Sequence, residues 1–275
     1  MATRSATRPG PVFLGAVFAC AAGLLAGSAA SPASAQARPG EPGRAAVAPP
    51  RIGVLKAGGD ALVKEGGVSA SWVLQQGGVV QIALSGDRIG VVTGDGKAWV
   101  KEGGLSASWV LQHDAGIKQL VLSGDRIGVL TADGKAWVKE GGLSANWVLK
   151  YGSVKQLALA GKRIGVLRSD GVALVKYDGP SATWATANTN VKQLVLAGDR
   201  IGVVRSGGAA LVQEGGRPAP WVTQSYNVLE LALAGKRVGM LTVTGEAWVK
   251  EGDLSAGFRS EDTGVIDIAL SSGTD

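Results

Sequence analysis

Residues 117–153 read IKQLVLSGDRIGVLTADGKAWVKEGGLSANWVLKYGS, and the order of signals in this stretch decides the fold. An apolar run meets the tight turn Ser-Gly-Asp, and a second apolar run opens at Arg126. Asp133-Gly134 then supplies a hairpin turn, because both residues tolerate the positive φ that such a turn needs. A third strand, Lys135 to Lys139, leads through Gly-Gly-Leu-Ser-Ala to a short fourth strand opening at Trp147. The next unit repeats the plan, with strands predicted over Val154 to Leu159 and Arg163 to Leu167 around the turn Ala160-Gly161-Lys162. Four short antiparallel strands leave little room for helix.

The Arg-(Ile/Val)-Gly element recurs at Arg51, Arg88, Arg126, Arg163, Arg200 and Arg237, in steps of 37, 38, 37, 37 and 37 residues. A period of this length signals a solenoid or a propeller. Cutting at the Val-Lys-Gln-Leu strand gives five whole units: Val79 to Gly116, Ile117 to Ser153, Val154 to Asn190, Val191 to Asn227 and Val228 to Gly264. The remainders are complementary. Val265 to Leu270 supplies only a first strand, and Arg51 to Gly78 supplies only the other three. A ring gains from this split, since pairing the two ends closes the circle and protects sheet edges. The expectation is an all-β, six-bladed β-propeller of four-stranded antiparallel blades over residues 51–275, closed by its terminal segments in one split blade.

Ahead of the repeats, residues 1–35 place Arg4 and Arg8 before an apolar run and end in Ala33-Ser34-Ala35. That order reads as a secretory signal peptide, cleaved after Ala35, with Ala37 as a second position. A secreted, extracellular protein with no membrane span after cleavage is expected. Cys20, the single cysteine of the chain, lies in the apolar run, either as an ordinary apolar residue or as a lipidation site. Residues 36–50 are rich in Pro, Ala and Arg, and read as a flexible spacer. A mature chain without cysteine has no disulfide, so packing alone must hold it.

Loss of Arg4 and Arg8 lowers the formal charge of +6 to +4. Acidic and basic residues are interspersed, which describes a mixed solvated surface and no nucleic-acid stripe.

The succession Lys-Gln-Leu-Ala-Leu, tight turn, X-X-Gly-Val, Asp-Gly turn, apolar-Val-Lys-Glu-Gly and Trp-Val resembles the tectonin repeat of tachylectin-like β-propeller lectins. The resemblance covers all six units and implies carbohydrate binding. One departure is systematic: where tectonin repeats commonly carry Trp before the Gly-Val of the second strand, this chain has Ile52, Ile89, Ile127, Ile164, Ile201 and Val238. Sugar sites that depend on that Trp do not carry over, so the resemblance speaks more to fold than to ligand.

Candidate site residues fall in two groups. Trp72, Trp109, Trp147, Trp184 and Trp221, with Phe258 in the sixth unit, form one aromatic column. It stacks on a sugar ring or fills the wedge between blades, and the area a Trp buries favours the wedge. A second column alternates Trp99, Trp137 and Trp248 with Leu62, Leu174 and Leu211, an exchange that points to packing. The variable loops hold the alternative group, His113, Asp114, Tyr151, Asn190, Tyr226 and Asn227, on the face that also carries the Asp-Gly turns. The six Arg residues face recurring Glu65, Glu102, Glu140, Glu214 and Glu251, with Tyr177 replacing Glu opposite Arg163; these read as exposed ion pairs worth about 0–1 kcal/mol each.

No catalytic residue, metal site or cofactor is expected. His113 and Asp114 are adjacent and lack a nucleophile, and nearly every carboxylate belongs to a repeated column, so none is set apart as a hydrolytic pair. The recurring glycines read as turn residues. The leading expectation is a secreted lectin binding glycans weakly at several pockets between blades and gaining avidity. The alternative is an extracellular protein-interaction or cell-envelope scaffold whose partner is a cell-surface protein.

Overall fold

A computed structural model describes residues 49, 51–56, 58–65, 70–179, 181–216, 219–264, 268 and 270. The segment read as a signal peptide, Cys20 within it, and all of the spacer but Pro49 lie outside the described residues.

Every regular element among the described residues is a strand, and the strands form six antiparallel sheets in chain order. Blade one comprises β1 (Arg51–Leu55), β2 (Ala61–Glu65) and β3 (Val73–Gln76). Blade two comprises β4 (Val79–Ser85), β5 (Arg88–Thr93), β6 (Ala98–Glu102) and β7 (Val110–His113). The four-stranded plan of β4 to β7 recurs in blades three to six, which begin at Ile117, Val154, Val191 and Val228. First strands of successive blades pack beside one another, whereas fourth strands meet chiefly their own third strand, so the blades fan out from a hub of first strands. This is propeller architecture.

Blade one has three strands among the described residues. Pairing of a fourth strand from Val265 to Leu270 with β1 lies outside them, because only Ile268 and Leu270 of that segment are described. Those two side chains meet Gly239 of blade six in the way Leu157 and Leu159 meet Gly128.

The glycine of each Arg-(Ile/Val)-Gly element explains how tightly blades stack. It is a mid-strand residue, and a Cβ added at Gly202 falls 2.6 Å from Leu231 Cδ2 of the next blade. Added at Gly90, a Cβ falls 2.6 Å from Leu120 Cδ2. Close approach of neighbouring blades requires these glycines, so they correct the expectation that recurring glycine means turns. The Asp-Gly hairpins do use positive φ, with Gly96, Gly134 and Gly171 at 78°, 79° and 83°.

Glutamines bind the hub. Gln81 accepts the Leu120 amide at 2.8 Å and donates to the Leu120 carbonyl at 3.1 Å. Gln193 treats Leu231 alike, accepting at 2.8 Å and donating at 3.2 Å. A primary amide copies the donor and acceptor of a peptide group, so each such glutamine joins first strands too far apart to form a ladder.

The expectation of exposed pairs holds for Arg237 with Glu251, 3.3 Å apart, and fails for most of the arginine column. Arg51, Arg88, Arg126 and Arg200 are buried, Arg200 to 0% exposure, while Glu102 and Glu140 stay largely solvated. Arg51, Arg88, Arg126, Arg163 and Arg200 also reach beyond their own blades. Arg88 donates to Gly141 O of blade three at 2.6 Å, Arg163 to Gly215 O of blade five at 3.3 Å, and Arg51 to Gly103 O of blade two. The arginines are cross-blade staples, which sequence periodicity had no means of distinguishing from ion pairs within a blade. Arg126 departs from the pattern and donates to the carbonyls of Gly161 and Arg163. Its neighbour Arg163 lies against the Tyr177 ring, with the guanidinium carbon 5.7 Å from the centroid.

Two distinct faces follow. Gly103 N donates to Asp87 O and Gly141 N to Asp125 O, joining the Ser-Gly-Asp turns to the loops after the third strands. On the opposite face Val154 N donates to Gly134 O, seating each Asp-Gly hairpin beside the next first strand.

Candidate functional site in the seam between blades one and two

The Lys-Glu-Gly-Gly-Leu-Ser-Ala-X-Trp segment builds a closed loop around its own lysine. Lys101 Nζ donates to Leu105 O at 2.5 Å and sits 4.8 Å from the centroid of the Trp109 ring. Lys139 repeats this with Leu143 O and Trp147, and Lys250 with Leu254 O and Phe258. Ammonium over an indole face is favourable, and burial together with the neighbouring Arg51 lowers the Lys101 pKa below the usual lysine value.

Two of these loops then dock on the preceding blade. Trp109 Nε1 donates to Gln75 O at 3.3 Å, and Trp147 Nε1 to Gln112 O at 3.1 Å. Trp147 accordingly precedes its strand, which runs Val148–Tyr151, and does not open it. Trp109 and Trp147 therefore commit one ring face to lysine and their N–H to a neighbouring blade. Trp72 and Trp184 carry lysines in the same way, Lys64 at 4.8 Å and Lys176 at 5.2 Å, while Gln213 takes the lysine position beside Trp221.

In the seam between blades one and two these parts leave a cleft of about 500 Å3. Trp99 and Trp109 line it, with Gln76, Gly77 and Gly78 from one blade and Thr93, Gly94, Asp95 and Lys97 from the other. Thr93 Oγ1 donates to Asp95 Oδ1 at 2.5 Å, and Lys97 Nζ lies 2.7 Å from Asp95 Oδ2. These partners, Lys97 first, hold the Asp95 carboxyl down at about 2. Two aromatic surfaces beside a fixed carboxylate, an ammonium and an amide make a site that takes both apolar and polar faces of a ligand.

The seams differ in their lining. Between blades three and four Tyr151 packs edge-on against Trp184, 5.3 Å between centroids at 81°, and the second column there is Leu174. Among the candidate residues Trp109 lines the cleft, whereas the sequence reading had left Trp99 to packing because Leu replaces it in other blades. That exchange is the signal: a position tolerant of Leu for folding is free to specialise in one seam.

The variable-loop residues do not converge. Asn190 and Asn227 hold φ of 56° and 55° where other blades place Gly78 and Gly116, so left-handed backbone accounts for both. Tyr226 is exposed. His113 Nδ1 stands 3.9 Å from Asp114 Oδ1, too far for a hydrogen bond, and Asp114 points into solvent. Among the described residues no three His, Cys, Asp or Glu side chains gather to hold a metal, and no helix is long and apolar enough to cross a membrane.

The fold is that of a β-propeller, with a cleft in one seam. No protein-family model matches the chain, and no curated protein matches its sequence. Solved structures do resemble it. Prp20p from Saccharomyces cerevisiae superposes with a TM-score of 0.59 at 10% identity, covering 74% of this chain and 70% of that one. Human WBSCR16 gives 0.58 at 12% identity over 74% of each chain. YCF48, solved bound to D1 peptide, gives 0.55 at 12% identity over 76% and 77%. Likeness at this identity is likeness of fold.

Proposed function

We propose that this protein is a secreted binding propeller, not an enzyme, and that it takes carbohydrate in the seam between blades one and two. The observation that carries the reading is the cleft itself, with Trp99 and Trp109 set beside Asp95, Lys97 and Gln76. Sugar rings present apolar C–H faces edged by hydroxyls, which indole surfaces and fixed polar groups match together. Membership of the tectonin-type lectins and closure of the ring by the terminal segments belong to the same reading, as does export by the N-terminal segment.

Paired aromatics recur as Trp137 with Trp147 and Trp248 with Phe258, and we extend the reading from the first seam to these two, three per chain. Avidity on a glycan-coated surface would follow from that number. A glycan-array screen followed by calorimetry tests it. Saturable binding that Trp99→Leu weakens is expected, since Leu occupies this position in three blades and keeps the fold. Absence of any glycan ligand would overturn it.

A second reading has its own observation. The outermost strands of blades one to three expose Leu74, Leu111 and Leu149 to 57%, 42% and 47%, each beside an exposed valine. Blades four to six place Thr186, Thr223 and Ser260 there instead. An apolar arc on unpaired strand edges suits a protein partner, and the solved structures of like fold include Prp20p, studied for its binding to Gsp1p and histones, and YCF48 with its peptide. Under this reading Leu111→Lys with Leu149→Lys abolishes capture of an envelope protein and leaves sugar titration unchanged.

A further inference from the structure

The first strand of each four-stranded blade carries a register shift at its second residue, where one residue drops out of the ladder with the second strand. The bulged residues are Val80, Lys118, Lys155, Lys192 and Leu229, in blades two to six, and all five are exposed. A bulge re-aims its side chain away from the sheet. These bulges lie at the end of the hub on the Asp-Gly face, because each first strand opens beside the preceding hairpin, as Val191 N to Gly171 O shows at 2.9 Å.

Three consecutive blades thus present lysine at one end of the hub, on first strands that approach within 8 Å between Cα atoms. Two of the ammonium groups bend toward the next blade, Lys155 Nζ to Val191 O at 3.4 Å and Lys192 Nζ to Val228 O at 2.9 Å. A carbonyl contact leaves donors on each ammonium and does not cancel its charge.

The carboxylates of the flanking hairpins are already engaged. Asp95 is held by Lys97 at 2.7 Å, Asp133 by Lys135 at 2.8 Å and Asp170 by Arg168 at 2.6 Å. Among the described residues no ion pair involves Lys118, Lys155 or Lys192. Like charges on adjacent strands repel, and a shared anion relieves that repulsion.

We infer that this end of the hub is an oxyanion site, in which Lys118, Lys155 and Lys192 receive a multiply charged phosphate or carboxylate group and Val80 and Leu229 border it with apolar surface. None of the three lysines lines the seam cleft, and the inference does not depend on sugar binding there.

Calorimetric titration of the full chain with inorganic pyrophosphate, and separately with citrate, tests the inference. Saturable binding of one anion per chain is expected, weakened about tenfold or more in K155Q/K192Q and unchanged in K162Q, whose lysine lies in a turn on the opposite face. Binding restored by K155R/K192R supports the charge role. Saturation by pyrophosphate alone assigns the site to phosphate groups, and saturation by both extends it to carboxylates. Failure of both probes to saturate, or equal weakening in K162Q, overturns it. Trp99→Leu leaves anion binding intact, which separates this outcome from failure of the seam reading.

Discussion

Arg200 of blade five lies fully buried between Glu214 on its own blade, 3.2 Å away, and the Gly252 carbonyl of blade six at 2.5 Å. The staple ties together two blades that share no backbone ladder at that radius. Removing one member of a buried, hydrogen-bonded charge group costs far more than an exposed pair contributes. Arg200→Ala is expected to destabilise the fold by about 3 kcal/mol, read from the midpoint of urea unfolding. A loss no larger than that of an exposed pair would show that blades five and six do not rely on it.

Blade stacking is predicted to punish a single methyl group. Gly202→Ala places a Cβ against Leu231 and Leu233, both buried, so their methyl groups must shift within a packed core. A cost of about 1–3 kcal/mol is expected. Because strain arises from overlap with Leu231 and not from backbone conformation, Leu231→Ala in the same chain should cost less than the sum of the two single changes.

The lysine loops carry an internal control. Gln213 of blade five takes the lysine position, and its Nε2 donates to Ala219 O within the same loop, two positions beyond the place that Leu143, the acceptor of Lys139, holds in blade three. Lys139→Gln should therefore change stability by less than about 1 kcal/mol, whereas Lys139→Ala should cost about 2 kcal/mol through the orphaned carbonyl and the lost cation over Trp147. Thermal unfolding of the two variants side by side checks the difference.

Acid should act on the Asp-Gly hairpins late. Asp95 and Asp133 are both lowered from 3.8 to about 2, by hydrogen bonds from Lys97 with Thr93 and from Lys135 with Thr131. A carboxylate whose folded pKa is depressed stabilises the fold fully above its unfolded value and loses that contribution as pH falls through the folded one. The hairpins should hold their pairs down to about pH 4 and release them between about 4 and 2. Carboxyl NMR titration should place both midpoints near 2; midpoints at the ordinary Asp value would mean the pairs do not persist in solution.

Much of this was legible in the residues. The spacing of Arg51, Arg88, Arg126, Arg163, Arg200 and Arg237 sets the blade count, and Asp-Gly turns between apolar runs set the strand order. Both are local, since hairpin register depends on residues a few positions apart. Also legible was the assignment of turns and loops to two faces, because antiparallel strands alternate in direction.

What the tertiary structure alone decided is everything that crosses a seam. Whether Arg88 meets Glu102 within its blade or Gly141 in the next, whether Gly90 serves a turn or a Leu120 methyl, and whether Trp99 faces a packed wedge or an open cleft depend on contacts between residues some 30 to 50 positions apart. A repeat shows the same letters for each of these alternatives. Periodicity records that a residue recurs; only the angle and distance at which one blade stacks on the next determine what that residue touches.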